Sequence, residues 1–540
     1  MKKLFFLLVF LALGQLTFAQ LKFLNRFEIP SGMRDPLFEI SNIDGGLVSF
    51  RTVPTKGLTQ ERKLQYFVSD SNLNSSGIIE LPIKDGFDML GYDADESYLY
   101  VLLSKGYFTS GDKYLLRINI KTNTAEEIEA GNVLNMELME FLVQDQKAIF
   151  LGSIDLRPVL QIYDLDSHSV HTVQGVYGND TQVLQIRKLS EIGALEAVIS
   201  RKGSFRNREL NIITYDLQGN ILREIKVDQF GVPGQEILDG LLISSSDYQE
   251  VLIGAFGLEK RSAYQGMYIM DVNEFGEFDF KLYTLADFPN FYNYLDEKAK
   301  SKKDAFVLKE LDKDKIPGIE NLYTVRDVRQ TEDAFYVYFD QYSVSNSRSG
   351  FQQGLYSPTG AYRYDRWSRM GSSPLYMDPN LLSRFPSQGS YQSIPVYQYS
   401  SAHFAKISKK GPVIWDNATS YTDFSTEYPD AFAEIAIVGD DLYHMYIEDL
   451  ILKMSFFKNG LKVFENQEFE FELLNKDERI ENINPESLRL IHWYDRYYLL
   501  SGTQRIRYLD EAGKVMSKEV YFQTKVLVDG DMYQPESLSD

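Results

Sequence analysis

Residues 114–128, YLLRINIKTNTAEEI, read as an apolar strand, a polar turn at Thr122–Asn123 and the start of a second strand. Asn tolerates the positive φ of tight hairpin turns, so this pattern predicts a β-hairpin. A hairpin repeated along a chain indicates that the chain is built from one structural unit. The same pattern returns in three later stretches: 159–173 (VLQIYDLDSHSVHTV), 210–225 (LNIITYDLQGNILREI) and 505–520 (RIRYLDEAGKVMSKEV).

A second kind of hairpin precedes most of these copies. Its clearest example is 87–105, FDMLGYDADESYLYVLLSK, where a turn at Asp93–Ser97 separates two apolar strands. Aromatic and branched side chains fill both strands, as expected for a pleated and largely buried surface. Similar pairs occupy residues 37–53, 138–154, 183–200, 237–256, 322–340, 432–449 and 488–502.

The turns of the first kind of hairpin recur at an interval of about fifty residues, a period typical of blades and solenoid repeats. Two hairpins per interval give four antiparallel strands, which is the blade of a β-propeller. The count of blades is about eight, with seven as the alternative. Solenoids usually have shorter repeats, and serial β-sandwiches would show Pro-, Gly- or Ser-rich linkers, none of which stands out. The turns lie at Thr122–Asn123, Asp166–Ser167, Gln218–Gly219, Phe275–Gly276, Lys458–Asn459–Gly460 and Ala512–Gly513.

A closed ring of blades also needs a way to cover its last edge. Residues 21–30, LKFLNRFEIP, form a lone predicted strand near the start of the chain. We expect this strand to complete the last blade, because an unpaired edge strand invites pairing with other chains.

One turn carries a resemblance to known proteins. The segment GYDADESYLYV at 91–101 resembles the blade turn of YVTN-type and TolB-like exported bacterial β-propeller proteins. The resemblance is clear in one predicted blade and weaker in several others. It implies the fold and leaves the activity open, because propellers host many functions.

Two segments interrupt the repeat. Residues 286–320 contain helix formers with alternating charges, which predicts a helical connector on the surface. Residues 341–401, within the sixth blade, are rich in Tyr, Ser, Gly and Pro and predict a long loop insertion. The expected organisation is a signal peptide at 1–19 followed by one all-β propeller domain at 20–540.

The first residues and the composition indicate an exported protein. Lys2 and Lys3 precede a short apolar run, and TFAQ offers a cleavage site before Gln20, so a signal peptide is favoured over a membrane anchor. The chain has no Cys, which excludes disulfides and thiolate metal sites. Its net charge of −21 disfavours binding to nucleic acid or to an anionic membrane surface. The expected location is the periplasm, or outside it as an outer-membrane-associated or extracellular protein.

Sequence motifs for catalysis are missing. The chain lacks the G-x-S-x-G, P-loop, G-x-G-x-x-G and H-E-x-x-H patterns, and its three Trp are too few for quinoprotein docking motifs. His168 and His171 could hold a metal with Asp164 or Asp166, although exposed turn residues are the simpler interpretation. His403, His444 and His492 lie in predicted strands and are expected to pack. Three acidic runs invite a calcium interpretation but do not match the calcium-loop pattern: Asp93 with Asp95 and Glu96, Asp164 with Asp166, and Asp312 with Asp314.

The insertion at 341–401 is the best functional signal. It carries five Arg against two Asp, so it is locally positive in an acidic protein. Tyr and Trp give rigid contact area, while Arg can stack or pair with carboxylates. The competing interpretation is a cap packed over one face of the propeller. The candidate partner-binding residues are Tyr362, Arg363, Tyr364, Arg366, Trp367, Arg369 and Tyr376.

These observations favour a non-catalytic, extracytoplasmic binding or scaffold protein of the bacterial envelope. Its partner would be a protein or a glycan, and an accessory of an outer-membrane secretion or uptake complex is one example. The alternative is a propeller hydrolase or lyase that acts on sugars or esters through acidic residues in the channel. The sequence indicates no cofactor, no metal site and no catalytic residue.

Overall fold

A computed structural model describes residues 21–55, 61–105, 112–155, 157–179, 181–202, 208–227, 235–238, 240–246, 249–258, 263–273, 275–345, 396–422, 424–426 and 432–530. The predicted signal peptide at 1–19 and most of the insertion at 341–401 lie outside these residues.

Short strands follow one another along the chain. The first part contains β1 (Lys22–Pro30), β2 (Glu39–Ile43), β3 (Gly46–Pro54), β4 (Arg62–Asp70), β5 (Ile79–Pro82), β6 (Phe87–Ala94), β7 (Tyr98–Lys105), β8 (Lys113–Asn119), β9 (Thr124–Glu129), β10 (Glu137–Gln144), β11 (Lys147–Ile154), β12 (Arg157–Asp164), β13 (Val170–Thr172), β14 (Thr181–Leu189), β15 (Ala194–Lys202), β16 (Arg208–Asp216) and β17 (Ile221–Val227). The second part contains β18 (Glu236–Ile237), β19 (Leu241–Ser246), β20 (Gln249–Leu258), β21 (Ala263–Val272), β22 (Phe278–Thr284), helix α1 (Glu297–Leu311), β23 (Leu322–Gln330), β24 (Ala334–Ser345), β25 (Val396–Ser408), β26 (Val413–Ser420), β27 (Ser425–Thr426), β28 (Glu434–Val438), β29 (Asp441–Glu448), β30 (Ile451–Lys458), β31 (Leu461–Phe469), β32 (Arg479–Ile483), a 3-10 helix (Pro485–Ser487), β33 (Arg489–Tyr494), β34 (Tyr497–Leu509) and β35 (Val515–Leu527).

These strands form eight antiparallel sheets, the blades of an eight-bladed β-propeller, so the fold prediction is confirmed and the count is eight rather than seven. Sheets 1 to 4 are β2–β5, β6–β9, β10–β13 and β14–β17, in chain order. Sheets 5, 6 and 7 are β18–β22, β23–β27 and β28–β31, and sheet 8 contains β32–β35 with β1. By contact density, Arg34–Ala431 form one compact unit with sheets 1 to 6, and the residues before and after it form a second unit with sheets 7 and 8.

The hairpin at 114–128 shows why the sequence folds this way. β8 and β9 pair from Tyr114 with Glu129 to Asn119 with Thr124. The side chain of Asn119 accepts hydrogen bonds from the backbone of Lys121 and Thr122, each at 3.0 Å. Asn123 takes the left-handed conformation at φ 58°, which Asn adopts more readily than most residues. The predicted turn is confirmed.

Within each of the two compact units, the hydrophobic core is divided into layers between consecutive sheets. Phe50 of sheet 1 meets Tyr92 of sheet 2 edge to face, with 4.6 Å between ring centroids. Between sheets 5 and 6, Met267 and Ile269 are buried against the same cluster as Val337. Within each unit, consecutive sheets therefore bury apolar residues against each other, which an isolated four-stranded sheet could not do.

Sheet 8 is closed by the start of the chain. β1 pairs antiparallel with β35, from Lys22 opposite Leu527 to Pro30 opposite Val520. The predicted closing strand is therefore confirmed. The prediction for the turn at Ala512–Gly513 is wrong in one detail. This turn joins β34 and β35, the two middle strands of sheet 8, whereas the corresponding turns of the repeat were predicted to join the third and fourth strands of a sheet. The fourth strand of this sheet is β1.

The predicted helical connector contains α1. The side chain of Asp296 caps the helix by accepting a hydrogen bond from the backbone of Ala299 at 2.8 Å. Val307 is the buried residue of the helix, and the segment before it buries Phe288 and Phe291 in the core of sheets 5 and 6. The connector is therefore packed on the sheets rather than solvated along its whole length.

Candidate functional site

All seven predicted contact residues lie between β24 and β25, at positions 346–395, outside the described residues. What the structure describes is the base that carries this segment. β24 and β25 are the two middle strands of sheet 6.

The base is a long paired hairpin, which we call the stalk: residues 341–345 and 396–401. β24 and β25 pair along their length, from Ala334 opposite Ser408 to Ser345 opposite Val396. β23 pairs with β24 only as far as Tyr342, so the hairpin continues past the first strand of its sheet. On the other side, β27 pairs with β25 at Tyr397 and Gln398. The segment 346–395 is therefore attached at both ends to a hydrogen-bonded ladder.

A buried polar group adjoins the stalk and includes one of its residues, Tyr399. We call it the Asp340 cluster: Arg326, Tyr338, Asp340, Tyr399 and Tyr421. Arg326 Nε donates to Asp340 Oδ2 at 2.8 Å, and its Nη2 donates to the Tyr399 hydroxyl at 3.2 Å. The hydroxyls of Tyr338 and Tyr421 donate to Asp340 Oδ1 at 2.8 and 2.9 Å. Three donors on one carboxylate satisfy a charge that would otherwise be costly to bury.

The electrostatics of the Asp340 cluster follow from its burial. Burial raises the pKa of Asp340 and outweighs the opposing effect of Arg326 and the two tyrosines. Burial lowers the pKa of Arg326, but Tyr399 and Asp340 outweigh it, so the pKa lies above its usual value. Arg326 therefore stays charged, and the cluster fixes the three long strands of sheet 6 to one another.

Aromatic rings extend this cluster into the stalk. The ring of Tyr342 lies 5.2 Å from that of Tyr399 and 6.0 Å from that of Tyr397. The guanidinium of Arg326 lies 5.5 Å from the Tyr342 ring centroid. Cation–π and ring contacts of this kind add rigidity to a buried site.

A second buried group joins the stalk to the helical connector. His403 Nε2 lies 2.9 Å from Ser401 Oγ, and the Ser401 hydroxyl donates to Gln341 Oε1 at 3.0 Å. Tyr294 donates to the same Gln341 oxygen at 3.2 Å. Phe291 stacks on the His403 ring with 4.1 Å between centroids.

These contacts decide what Ser401 and His403 can do. Because the serine gives its proton to Gln341, His403 Nε2 is the donor to Ser401, which leaves Nδ1 without a proton and without a partner among the described residues. Burial lowers the pKa of His403 to about 3. A histidine that donates to a serine cannot act as its base, so this pair has a packing role.

His444 and His492, the other strand histidines, are also buried, in β29 and β33. All three strand histidines are therefore buried, in agreement with the predicted packing role.

The structure does not bring His168 and His171 together around a metal. Asp164 is bound by Lys147 Nζ at 2.5 Å and caps the turn by accepting from the backbone of Ser167 at 2.9 Å. The hydrogen bond from Lys147 leads the effects that hold the pKa of Asp164 below its usual range. His168 Nδ1 instead meets the hydroxyl of Tyr163 at 2.8 Å.

The acidic runs have other partners as well. Asp95 caps its turn by accepting from the backbone of Ser97 and Tyr98, each at 2.8 Å. Asp312 is the C-cap of α1, and Asp314 follows it at φ 55°. Within the described ranges, no three His, Asp or Glu side chains form a group that could hold a metal ion.

Asp93 is the exception among these acids, because it is fully buried. Its Oδ2 accepts from the backbone of Val143 in sheet 3 at 2.6 Å and from Lys188 in sheet 4 at 2.8 Å. Burial raises the pKa of Asp93 to about 6, although Lys188 opposes this. One carboxylate thus links the first strands of three consecutive sheets.

Next to Lys188 lies a group that the sequence did not reveal, the Glu–Arg cluster: Arg187, Glu196, Arg223 and Glu250. Arg187 Nη2 lies 2.5 Å from Glu196 and 2.8 Å from Glu250. Arg223 Nη2 lies 3.1 Å from Glu196 and also contacts Glu250. The members stand on four strands of two sheets, so no motif spacing could have identified them.

In the part of the chain that the structure describes, no helix is both long and apolar enough to cross a membrane. The described helix α1 has mixed charge along its length.

No protein-family model matches the chain, and no curated protein matches it in sequence. Among solved structures, the β-propeller domain of the trilobed protease from Pyrococcus furiosus is 7% identical with a TM-score of 0.32, over 81% of this chain and 100% of that one. TolB from Acinetobacter baumannii is 13% identical with a TM-score of 0.24, over 46% of this chain and 54% of that one. Cobalt-substituted Synechocystis ACO is 9% identical with a TM-score of 0.28, over 44% of this chain and 60% of that one.

Proposed function

We propose that this chain is a non-catalytic binding or scaffold propeller of the bacterial envelope. Its partner, a protein or a glycan, is engaged by residues 346–395. The observation that supports the proposal is the stalk. A contact segment needs a rigid support, and both ends of this segment continue from strands that are paired with each other and held by the Asp340 cluster.

The composition of the segment supports a binding role. Arg348, Arg363, Arg366, Arg369 and Arg384 stand against Asp365 and Asp378 in a chain of net charge −21. Arginine recognises carboxylates in two-point contacts, and Tyr and Trp supply rigid contact area for proteins and sugars. The chemistry therefore fits an acidic protein surface or an acidic glycan.

The location follows from the signal-type sequence at 1–19. We propose export to the periplasm or to the outer membrane, with the mature chain free of a transmembrane segment. An accessory role in a secretion or uptake complex at the outer membrane is consistent with this location.

Replacing residues 346–395 with a short Gly-Ser bridge tests the function. We expect the variant to fold with a nearly unchanged melting temperature and to lose the partners that the full chain captures from envelope extracts in stoichiometric amounts. Partners that remain bound after the deletion contradict the assignment of this segment. An unfolded product would show that the segment belongs to the core instead.

A finer test exchanges the candidate contacts. Substituting Arg363, Arg366, Trp367 and Arg369 by Ser should weaken capture at least tenfold without a loss of stability. Lys298, Lys302 and Lys309 of α1 provide a matched control, because their substitution by Ser removes the same number of positive charges from a part of the chain outside residues 346–395. Equal losses in both variants would point to general electrostatics and not to a contact site.

The alternative is a hydrolase or lyase that acts on sugars or esters, and one observation favours it. Glu196 and Glu250 are neighbouring carboxyl groups whose pKa values move in opposite directions, as in acid–base pairs of enzymes. Two arginines occupy both groups, however, which disfavours contact with a substrate. Turnover of chromogenic glycosides or esters that disappears in Glu250→Gln would establish this alternative in place of the binding role.

A further inference from the structure

The loop between β13 and β14 presents an aromatic ring to solvent. Tyr177 in this loop is 56% exposed, whereas Val176 before it is buried in the apolar cluster between sheets 3 and 4. The hydroxyl of Tyr215 donates to the backbone oxygen of Gln174 at 3.0 Å, which fixes the start of the loop. The Tyr177 ring therefore extends from an anchored backbone.

Arg157, the first residue of β12, holds this ring at its hydroxyl end. Its Nη1 donates to the Tyr177 hydroxyl at 2.6 Å, and its guanidinium carbon lies 5.4 Å from the ring centroid. Arg51, which stacks on the face of Phe38, lies closer to that ring centroid, at 4.2 Å. The principal contact of Arg157 is therefore with the hydroxyl, and the exposed ring can still receive a ligand.

The charge of Arg157 is not paired with a carboxylate. Within the described ranges, no Asp or Glu oxygen lies within 4.0 Å of its guanidinium, and the charge of Asp155, two residues earlier, affects it only weakly. The chain has a net charge of −21, so carboxylates are abundant. An arginine that pairs with none of them is available to an anionic ligand.

A second arginine lies at the same loop. Arg201 of β15 donates from Nη2 to the backbone oxygen of Gly175 at the long distance of 3.4 Å, and the carboxylate of Glu224 is 4.0 Å away. Its Nε has no hydrogen-bond partner among the described residues. Two weakly engaged guanidinium groups therefore contact a single loop at Gly175 and at Tyr177.

The groups offered by this loop are donors and one aromatic ring. Tyr177 accepts from Arg157 and so keeps its own hydroxyl proton for another acceptor, and each guanidinium carries further N–H donors. Guanidinium groups bind carboxylates in two-point contacts, and an exposed tyrosine ring packs against the C–H face of a sugar. The side chains of Asp and Glu have no such apolar face, so an acidic peptide would leave the ring unused.

We propose that Arg157, Tyr177 and Arg201 form a binding site for a sugar that carries a carboxylate, such as a uronic acid unit of an acidic polysaccharide. The site lies on sheets 3 and 4, outside residues 346–395. It therefore does not rest on the binding role proposed for that segment.

Calorimetric titration of the full chain with tri-galacturonate tests the site. We expect binding of this acidic sugar and no measurable binding of maltotriose, a neutral sugar of the same length. Arg157→Gln removes a charge-assisted contact and Tyr177→Ala removes the ring, so each should weaken binding roughly tenfold or more. Tyr177→Phe keeps the ring and loses the hydroxyl, so it should weaken binding only about threefold.

Two matched controls remove the same kinds of group elsewhere. Phe275→Ala removes a ring that is 81% exposed in a turn of sheet 5, and Arg489→Gln removes an arginine at an exposed position of β33. Both should bind tri-galacturonate like the wild type. A wild type that does not bind this sugar, or controls that lose as much affinity as Arg157→Gln, would overturn the proposal. Binding of hexaglutamate as tight as that of the sugar would reject a sugar site in favour of an acidic protein partner.

The deletion of residues 346–395 keeps the two proposals separate. This variant should bind tri-galacturonate like the wild type, whether or not it still captures partners from envelope extracts. A deletion variant that no longer binds the sugar would contradict the assignment to sheets 3 and 4.

A second measurement covers the case in which Tyr177→Ala does not fold. Saturation-transfer NMR on the wild type should show transfer from aromatic protons of the protein to the C–H protons on one face of the sugar. Arg157→Gln at the same sugar concentration should reduce this transfer strongly. A bound sugar that receives no transfer from aromatic protons would reject the contact with Tyr177.

Discussion

Asp93 Oδ2 lies 2.8 Å from Lys188 Nζ, and the same oxygen accepts from the backbone of Val143, so one buried carboxylate joins sheets 2, 3 and 4. Polar links of this kind recur between first strands. The side chain of Gln185 in sheet 4 both accepts from and donates to the backbone of Leu242 in sheet 5, at 2.8 and 3.1 Å. The apolar layers hold the sheets face to face, and these links fix their register at the first strands.

The pH dependence of Asp93 can be tested with Asp93→Asn. The pKa of Asp93 is about 6 in the folded chain, against an ordinary value of 3.8. As the pH falls, Asp93 is therefore protonated in the folded chain before it is protonated in the unfolded chain. The contribution of Asp93 to the free energy of unfolding therefore increases by roughly 2–3 kcal/mol as the pH is lowered from 6.5 to 4. Urea unfolding should show a flatter profile for Asp93→Asn in this window. Asp95→Asn, at the exposed end of the same turn, should keep the wild-type profile.

Breaking the buried ion pair of Arg326 and Asp340 should strongly lower the free energy of unfolding. Arg326→Met leaves a buried carboxylate without its charge partner, which costs about 3–5 kcal/mol in the free energy of unfolding. Arg496→Met removes an arginine that is 42% exposed and 3.8 Å from Asp529, and should cost less than about 1 kcal/mol. Equal losses in the two variants would show that the Asp340 cluster does not hold sheet 6 together.

His403 should make the protein sensitive to acid. The pKa of His403 is about 3 in the folded chain, against an ordinary value of 6.5. Between these two pH values the unfolded chain therefore binds a proton at His403 that the folded chain does not bind. Stability from this group is complete above pH 6.5 and is lost as the pH falls toward 3. His403→Phe keeps the stack on Phe291 and removes the titration, so it should lose less stability between pH 7 and pH 4. His444→Phe should also lose less stability than the wild type between pH 7 and pH 4, because burial lowers the pKa of His444 to about 3 as well.

Gly266 in β21 has no room for a side chain. A Cβ there would lie 1.9 Å from the carbonyl oxygen of Tyr283 and 3.0 Å from the ring of Phe256. Gly266→Ala should therefore lower the free energy of unfolding by at least about 1–3 kcal/mol. Gly131→Ala is the matched control, because a Cβ at Gly131 meets nothing within 4 Å. A neutral Gly266→Ala would show that β21 and β22 can separate at little cost.

Removal of residues 21–30 should expose the outer edge of β35. An exposed edge strand pairs with other chains, so we expect the truncated protein to elute as dimers or larger assemblies in size-exclusion chromatography. Lys22→Ser, a change at an exposed position of β1, should stay monodisperse. A truncated protein with the elution volume and melting temperature of the wild type would mean that β1 adds nothing to sheet 8.

The sequence predicted the strand pairs and turns because hairpins are local. Gly219, Gly276 and Gly513 all take positive φ at the predicted turns, where glycine is the residue that adopts it most easily. The prediction for the last hairpin is wrong about which strands it joins, because β34 is 13 residues long and its two halves look in the sequence like parts of two separate hairpins.

The buried polar groups could not be predicted. Arg187 and Glu250 are separated by 63 positions, and Asp93 and Lys188 by 95, so only the packing of successive sheets brings them together. In the sequence Asp93 stands out only as part of an acidic run, yet its partner is a lysine two sheets away. The seven proposed contact residues from Tyr362 to Tyr376 remain a prediction, because they lie outside the described residues.

The pairing of β1 with β35 also sets the order in which the molecule can be completed. Lys22 is synthesised long before Leu527, the residue with which it pairs. The earlier sheets contain only neighbouring segments and can form as they emerge, whereas sheet 8 cannot be completed until β35 has been synthesised. Closing a loop of this length adds only a modest entropic cost, so the delay affects the time of completion far more than the final stability. Until then β1 lacks the strand with which it pairs in the folded protein.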